Sequence, residues 1–253
     1  LLMLIGWRGE PGVHDEPQHV KQGKVTLTLL ETMGIPYEIL PDSAEGAEAA
    51  LGRMLETMRE KACPVALVVK KGVFEKYKLQ KKEKTDYELN REGAIKLVVD
   101  QLDKSDVVVS TTGKTSRELF EYREAKGQGH GSDFLTVGSM GHAIQIALGI
   151  ALARRERQVF CFDGDGAVLM QMGSLPVTAS LPAANLKHIV FNNGAHDSVG
   201  GQPTVGFRID LCAIARASGY RSVFAAGTSE EIRKAVADLK AATGPALLEI
   251  RVN

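Results

Sequence analysis

Two short apolar runs, Val-Val-Val at 107–109 and Val-Phe-Cys-Phe at 159–162, constrain the fold of this chain most strongly. A strand with one solvated face alternates apolar and polar residues, and neither run does so. Helical and strand-like segments alternate regularly from residue 90 to the end. Continuous apolar strands interleaved with helices are typical of a parallel sheet covered by helices on both faces. The sequence therefore predicts a doubly wound α/β domain built on a six-stranded parallel sheet.

The same alternation, on a smaller scale, fills residues 1–70. Between the two parts, residues 71–89 are rich in lysine and cannot bury much apolar surface, which is typical of a linker. We therefore expect a small α/β domain at 1–70, a linker at 71–89 and a larger domain at 90–253. The larger domain should contain helices near 91–103, 114–125, 141–154, 166–180, 209–218 and 228–242.

The composition argues against several classes of protein. Lysine plus arginine equals aspartate plus glutamate at 31 each, so no net charge attracts the chain to nucleic acid or to a membrane surface. No apolar run reaches the roughly 18 residues that a membrane span requires. The cysteines, Cys63, Cys161 and Cys212, lack the spacing of metal ligands and are expected as core thiols in a reducing, cytoplasmic compartment. Residues 1–6 are typical of a buried strand rather than of a signal peptide, so the sequence is expected to begin inside a domain.

Polar turns follow two of the predicted strands. Asp-Gly-Asp-Gly at 163–166 follows the strand at 158–162, and Asn-Asn at 192–193 follows the next strand along the chain. Because the carboxyl ends of parallel strands meet at one edge of a sheet, the two turns should lie close together. Carboxylate and amide oxygens suit Mg²⁺, and glycines let a diphosphate approach the backbone. The turns therefore predict a site for a magnesium diphosphate, with an ordinary surface turn as the alternative.

Three other interpretations of the glycine-rich turns fail on the residues present. An EF-hand loop in the acidic turn requires Gly and Glu where the chain has Val168 and Ser174. A dinucleotide-binding Gly-x-Gly-x-x-Gly motif requires a glycine at Leu169. A nucleotide P-loop ending in Gly-Lys-Thr at 113–115 requires an earlier glycine at Val108. The hydroxyls, glycine and lysine of that last turn could still contact a phosphate, or its threonines could simply cap a helix.

The spacing of the polar turns resembles the signature of thiamine diphosphate enzymes, in which Gly-Asp-Gly precedes Asn-Asn by about 25 to 30 residues. By this resemblance, the expected Mg²⁺ ligands are Asp165, Asn193 and the carbonyl of Ala195. Asn192 is an alternative to Asn193, and Asp163 is expected to shape the turn. The resemblance also implies a Gly-Ser-Met segment at the middle of the cofactor, where the glycine carbonyl binds the aminopyrimidine and the methionine supports a bent conformation. The expected cofactor-binding residues are Thr112, Gly113, Lys114, Gly138, Ser139, Met140, Gly164, Asp165, Gly166, Ala167, Asn193, Ala195 and His196.

Three longer strings, at 6–12, 110–120 and 191–198, resemble the phosphonopyruvate decarboxylases within that family. The resemblance covers essentially the whole chain. It implies an incomplete pyrimidine-binding domain at 1–70 and a diphosphate-binding domain at 90–253, with an active site shared between the subunits of a homodimer or larger oligomer. The implied reaction, in phosphonate biosynthesis, is the thiamine diphosphate- and Mg²⁺-dependent decarboxylation of 3-phosphonopyruvate to phosphonoacetaldehyde and CO₂.

The catalytic candidates lie beside the cofactor motifs. His196 and Asp197 fall in a glycine-rich segment typical of a mobile lid, where they could move protons or contact an anionic substrate, or only shape the loop. Lys114 and Arg8, together with His196, are candidates for binding the anionic end of the substrate.

Several alternatives remain open. Sulfopyruvate decarboxylases are close relatives, whereas an acetolactate-synthase-like carboligase is disfavoured because the linker leaves no room for a middle domain. The family activates its cofactor with a glutamate early in the pyrimidine-binding domain, and no residue here matches it. The chain as given is therefore expected either to lack an N-terminal segment or to be a cofactor-binding module that is not catalytic alone.

Overall fold

A computed structural model describes residues 1–77 and 85–253 of the chain. The chain divides into two compact units, Leu1–Lys78 and Leu79–Asn253. The predicted linker at 71–89 falls partly on residues 78–84, which lie outside the described residues. In the described part of the chain, no helix is both long and apolar enough to cross a membrane.

The first unit is a three-stranded parallel sheet with two helices. Its elements are β1 (Leu2–Gly6), α1 (Val20–Thr32), β2 (Tyr37–Ile39), α2 (Ala44–Lys61) and β3 (Val65–Val69). The strands pair in the order β1-β3-β2, which places the mostly buried β3 in the centre. Helix α2 begins after Ser43, whose side chain accepts a hydrogen bond from the Gly46 N–H, and it is followed by Ala62 in the left-handed region.

The second unit contains a six-stranded sheet in which all strands are parallel, as the sequence predicts. Its strands are β4 (Val107–Ser110), β5 (Asp133–Leu135), β6 (Val159–Gly164), β7 (Leu186–Asn192), β10 (Ser222–Ala226) and β11 (Ala246–Arg251). They pair in the order β10-β11-β7-β6-β4-β5. Its helices are α3 (Arg91–Val99), α4 (Lys114–Ala125), α5 (Ala143–Ala153), α6 (Asp165–Met170), α7 (Ser174–Ala179), α8 (Leu211–Ala217) and α9 (Ser229–Ala241).

Helices cover both faces of this sheet, which is why its central strands are continuously apolar. Phe160 on β6 packs with Leu119 of α4 on one face, in a cluster that also includes side chains of α3 and α9. The next residue, Cys161, packs with Ile144 of α5 on the other face. Because successive side chains of a strand point to opposite faces, both must be apolar when both faces are covered.

The predicted helix at 166–180 is wrong, because two short helices stand in its place. The first ends at Met170 and the second begins at Ser174. Pro176 lies in the first turn of the second helix, where its missing N–H costs nothing, whereas inside one long helix its ring would collide with the preceding turn. The sequence pattern also missed a small hairpin, formed by β8 (Ala195–His196) and β9 (Gln202–Pro203), which flanks a 3₁₀ turn at Asp197–Val199.

Candidate functional site

The candidate site lies at the carboxyl edge of the six-stranded sheet. From β4 the chain proceeds to β5 on one side, whereas from β6 it proceeds to β7 on the other side. The ends of β4 and β6 therefore flank a topological switch point, where sheets of this kind bind ligands. A cavity that opens to solvent lies here. Among the predicted residues, its lining includes Thr112, Met140, Gly164, Asp165, Gly166, Ala167, Asn193, Ala195, His196 and Asp197. The remaining predicted cofactor-binding residues, on neighbouring turns, are Gly113, Lys114, Gly138 and Ser139. The predicted Arg8 lies in the first unit, where its Nη2 is 2.6 Å from Oδ1 of Asp15.

Asp165 begins α6 and joins the two polar turns. Its side chain is almost fully buried, with the residue 1% exposed. Oδ1 accepts a hydrogen bond from the backbone N–H of Asn193 at 3.4 Å, and Oδ2 accepts one from the hydroxyl of Thr204. Burial raises the pKa of this carboxyl, while the hydrogen bonds from Thr204 and Asn193 oppose the rise. The turns after β6 and β7 thus meet at one buried carboxylate.

The two asparagines occupy different environments. Asn192 is fully buried, and its Nδ2 donates to the carbonyl of Gly206 at 3.0 Å and to Oε1 of Glu249 at 2.8 Å. Its Oδ1 accepts from the N–H of Gly194 at 3.1 Å. Both amide protons and the amide oxygen of Asn192 are therefore engaged within the protein. Asn193 is half-buried and lines the cavity, so it is the better placed of the two to offer an oxygen to a ligand.

The chain after Asn193 folds back over the acidic turn. The Oδ1 of Asn193 accepts a hydrogen bond from the N–H of Ala195 at 3.3 Å, and the strand pairing of β8 with β9 then returns the chain to Thr204. The Thr204 hydroxyl accepts from the N–H of Gly206 at 3.0 Å. A Cβ at Gly206 would lie 2.5 Å from Oδ2 of Asp165, so only glycine allows the chain to approach this closely.

Arg91 is a candidate that the sequence pattern missed. Its guanidinium donates two hydrogen bonds to the carboxylate of Glu118, at 2.9 and 2.8 Å, and Nη1 lies 3.2 Å from Oδ2 of Asp197. Burial disfavours the charge, but Glu118 and Asp197 raise the pKa of Arg91 above its ordinary value. Nζ of the half-exposed Lys114 lies 3.7 Å from the same Asp197 oxygen. Asp197 is therefore held between two cations at the wall of the cavity.

The turn after β8 lies against two glycines. The Ser198 hydroxyl accepts a hydrogen bond at 3.2 Å from the N–H of Lys114, the first residue of α4. A Cβ on Gly113, whose φ is +100°, would lie 2.2 Å from this hydroxyl. A Cβ on Gly166 would lie 2.5 Å from Nδ1 of His196. These two glycines allow the side chains of the turn to cover the cavity.

The turn after β5 carries the predicted Gly-Ser-Met segment. Gly138 and Ser139 both have positive φ angles, 75° and 46°. For an L-residue such as Ser139 this conformation costs about 1–2 kcal/mol, which is the kind of strain that functional sites retain. The N–H of Gly138 donates to the Thr112 hydroxyl at 3.0 Å, which joins the turns after β4 and β5, and Met140 lines the cavity.

Asp163 lies beneath the acidic turn and is fully buried. Its Oδ1 accepts a hydrogen bond from the N–H of Gly164 at 3.1 Å, which supports the expectation that it shapes the turn. Its Oδ2 lies 3.5 Å from Nε2 of His188 on β7. Burial, with the nearby Asp163 carboxylate, raises the pKa of the Cys161 thiol. We assign this group to the support of the turn from below.

Arg91, Glu249 and Thr204 were missed because each acts through a partner that is remote in the sequence. Arg91 lies in the first turn of a predicted helix, and nothing in the sequence there indicates that it is buried. Glu249 lies inside an apolar strand, where a charged residue is usually taken as a sign of a strand at the edge of a sheet. Thr204 offered the one usable signal, since a hydroxyl in a glycine-rich segment beside predicted metal ligands is a plausible hydrogen-bond donor to them.

The oxygen atoms assembled here fit a magnesium ion. Asp165 offers a carboxylate, Asn193 an amide oxygen and Ala195 a backbone carbonyl, and all three residues line one cavity. Such hard oxygen donors suit Mg²⁺, which usually keeps its other positions for phosphate oxygens and water. The backbone from Gly164 to Ala167 lines the same cavity, beside these oxygen atoms.

Comparisons with solved structures agree with the fold. The crystal structure of benzoylformate decarboxylase from Polynucleobacter necessarius superimposes with a TM-score of 0.56 at 17% sequence identity, over 72% of this chain and 36% of that one. At such low identity the likeness concerns the fold alone, and it confirms the predicted parallel α/β architecture.

Sequence comparisons place the chain in a family. A phosphonopyruvate decarboxylase from Streptomyces hygroscopicus is 34% identical in an alignment of 267 residues, which covers the whole of this chain and 65% of that protein. The sulfopyruvate decarboxylase subunit beta of Methanothermobacter thermautotrophicus is 35% identical over 135 residues, covering 53% of this chain and 69% of the subunit. The chain thus spans less than two thirds of the length of the Streptomyces protein, and the resemblance to phosphonopyruvate decarboxylases is confirmed. Residues 111–250 match the family model described as thiamine pyrophosphate enzyme, C-terminal TPP binding domain. The chain therefore belongs to the thiamine pyrophosphate enzymes, and these residues form its TPP-binding domain.

Proposed function

We propose that this chain carries the cofactor site of a decarboxylase that converts 3-phosphonopyruvate to phosphonoacetaldehyde and CO₂ with thiamine diphosphate and Mg²⁺, in phosphonate biosynthesis. The observation that carries the proposal is the cavity at the switch point, where Asp165 and Asn193 come together among glycine-rich turns. The similarity to phosphonopyruvate decarboxylases over the whole chain supports the substrate.

In this proposal each turn has a separate role. Asp165, Asn193 and the carbonyl of Ala195 hold Mg²⁺, and the backbone at 164–167 lies against the diphosphate. On the neighbouring turns, Thr112, Gly113 and Lys114 contact the diphosphate, while Gly138, Ser139 and Met140 contact the middle of the cofactor.

Bound thiamine diphosphate supplies an electron sink for the pair of electrons left when CO₂ departs. The chain's own residues bind, orient and shield the reactants. His196 lines the cavity and is placed to hold or move a proton, and Ser198 helps the loop to exclude water. Lys114 provides positive charge for the anionic end of the substrate, and Asp197 sets how much of that charge is available.

The proposal extends to the assembly and its compartment. Residues 1–70 are assigned to a pyrimidine-binding domain, residues 71–89 to a linker and residues 90–253 to the diphosphate-binding domain, with the active site shared in a homodimer or larger homo-oligomer. The cysteines Cys63, Cys161 and Cys212 are all free, which agrees with a cytoplasmic protein.

Two measurements, made one after the other, test this function. Calorimetric titration of the chain with thiamine diphosphate, with and without Mg²⁺, should give binding that depends on the metal. Release of CO₂ by the intact protein is then measured with 3-phosphonopyruvate, sulfopyruvate and pyruvate. Faster turnover of 3-phosphonopyruvate than of the other two acids is the expected result. Absence of metal-dependent binding refutes the cofactor site, while binding without release of CO₂ from any acid favours a cofactor-binding module.

Sulfopyruvate is the second candidate substrate, because subunits of sulfopyruvate decarboxylases are similar to about half of this chain. Phosphonate and sulfonate are both tetrahedral anions and differ mainly in charge. The CO₂ assay therefore decides between them, and faster turnover of sulfopyruvate would replace the phosphonate assignment.

A further inference from the structure

Glu249 is a buried acidic side chain that the proposed reaction does not use. It lies on β11, which pairs with β7, and it is 0% exposed. A carboxylate at this depth is costly unless its oxygens are hydrogen-bonded or paired with a cation. Nε of Arg251 lies 3.3 Å from Oε1, and the thiol of Cys212 donates to Oε2 at 3.5 Å. These contacts offset part of the cost of burial.

A third contact links Glu249 to the polar turn after β7. Oε1 of Glu249 accepts a hydrogen bond from Nδ2 of Asn192 at 2.8 Å. An ionised carboxylate accepts hydrogen bonds and donates none, so only the NH₂ side of the asparagine amide can face it. Glu249 therefore fixes the orientation of this amide and directs Oδ1 of Asn192 to the N–H of Gly194, 3.1 Å away.

The oriented amide then holds two segments of the candidate site. Its bond to Gly194, whose φ is +63°, closes the tight turn in which Asn193 is the middle residue. Its bond to the carbonyl of Gly206 holds the returning chain, two residues after Thr204, whose hydroxyl donates to Asp165. One amide thus supports both side chains that offer oxygens to the metal ion.

We infer that Glu249 is a positioning residue for the metal site, acting through Asn192 on both Asn193 and Asp165. The inference rests on the proposed function, because it assigns these two side chains to Mg²⁺. Residues that orient metal ligands without contacting the metal typically lower the metal affinity by about 10–100-fold when they are replaced. Glu249 does not line the cavity, so its replacement leaves the ligand oxygens present and changes only how they are held.

The test compares three variants of the full chain by calorimetric titration of Mg²⁺ in the presence of thiamine diphosphate. Glu249→Ala should weaken Mg²⁺ binding by about 10–100-fold. Glu249→Gln keeps an oxygen that can accept from Asn192 and should stay within about threefold of the parent chain. The matched control is Leu248→Ala, because Leu248 is equally buried on the same strand but faces the opposite side of the sheet.

A second measurement needs no metal or cofactor. Hydrogen exchange of the unloaded chain should become faster across residues 192–206 in Glu249→Ala, while it stays unchanged there in Leu248→Ala. An unchanged Mg²⁺ affinity in Glu249→Ala, an equal loss in Leu248→Ala, or an equal loss in Glu249→Gln would each overturn the inference. If the parent chain binds no Mg²⁺ with the cofactor, the proposed function fails. The exchange experiment then still decides whether Glu249 orders the turn.

Discussion

Replacing Gly206 by alanine tests whether close contact between the returning chain and the acidic turn is required. The added Cβ would lie 2.5 Å from Oδ2 of Asp165 and 2.7 Å from Oδ1 of Asn192, against an ordinary contact of 3.4 Å or more. One or both groups must therefore move by roughly 0.7–0.9 Å, and a misplacement of about 1 Å can cost about 100-fold in rate. The crowding should also lower the free energy of unfolding by about 1–3 kcal/mol.

The assay for Gly206→Ala combines CO₂ release by the intact protein, calorimetric Mg²⁺ affinity with thiamine diphosphate, and urea unfolding. The matched control is Gly149→Ala, because a Cβ at this position in α5 meets open space and alanine favours the helix by about 0.5–1 kcal/mol. We expect the control to keep its activity and to gain stability. A folded Gly206→Ala protein with unchanged metal affinity and turnover would refute the argument that this approach sets the position of Asp165.

Three further predictions concern charge. Asp165→Asn removes a carboxylate whose pKa is raised by burial, so the unloaded variant should be at least as stable as the parent chain in urea. Mg²⁺ with cofactor at 100 times Kd should stabilise the parent chain by about 2.7 kcal/mol, and the variant should lose this gain. A variant that retains the gain would contradict the ligand role. Arg91→Met leaves the partly exposed Glu118 carboxylate without its two hydrogen bonds and should lower the free energy of unfolding by about 1–3 kcal/mol, whereas a loss below about 0.5 kcal/mol would show that the pair contributes little. Burial raises the pKa of Cys212 to about 11, so between about pH 8.5 and 11 the folded protein keeps a proton that the unfolded chain has lost. The free energy of unfolding should therefore fall by about 3 kcal/mol as the pH rises through this range. Cys212→Ala, unfolded at several pH values, should lack this fall, and equal pH slopes in the variant and the parent chain would contradict the argument.

The architecture could be predicted because the apolar runs carry its signal directly. The three valines of β4 and the mixed apolar residues of β6 have no polar alternation, and this pattern fits only strands covered on both faces. Strand direction then places the turns after β6 and β7 at one edge, so the proximity of Asp165 and Asn193 follows from topology. The predicted helix at 166–180 failed because helical periodicity does not register how Pro176 interrupts a helix.

The remaining parts of the site depend on contacts between residues far apart in the chain. Arg91 and Glu118 belong to different helices, and Asn192 and Glu249 to different strands, so no local pattern relates them. The hairpin after Asn193 has no periodicity that would predict a strand, since glycines and a proline dominate the segment. The sequence pattern therefore predicts several residues that line the cavity, such as Asp165 and Asn193, but not the residues that hold them in place.

The paired asparagines illustrate why these two kinds of residue occur side by side. Because successive residues of a strand point to opposite sides, Asn192 at the end of β7 turns inward to Glu249 when Asn193 turns toward the cavity. The inner amide must find partners because it is buried, and the partners it finds, Gly194 and Gly206, belong to the two segments that carry the site. Satisfying this buried amide and positioning the proposed metal ligands are therefore one structural requirement, which a single asparagine at this strand end could not meet.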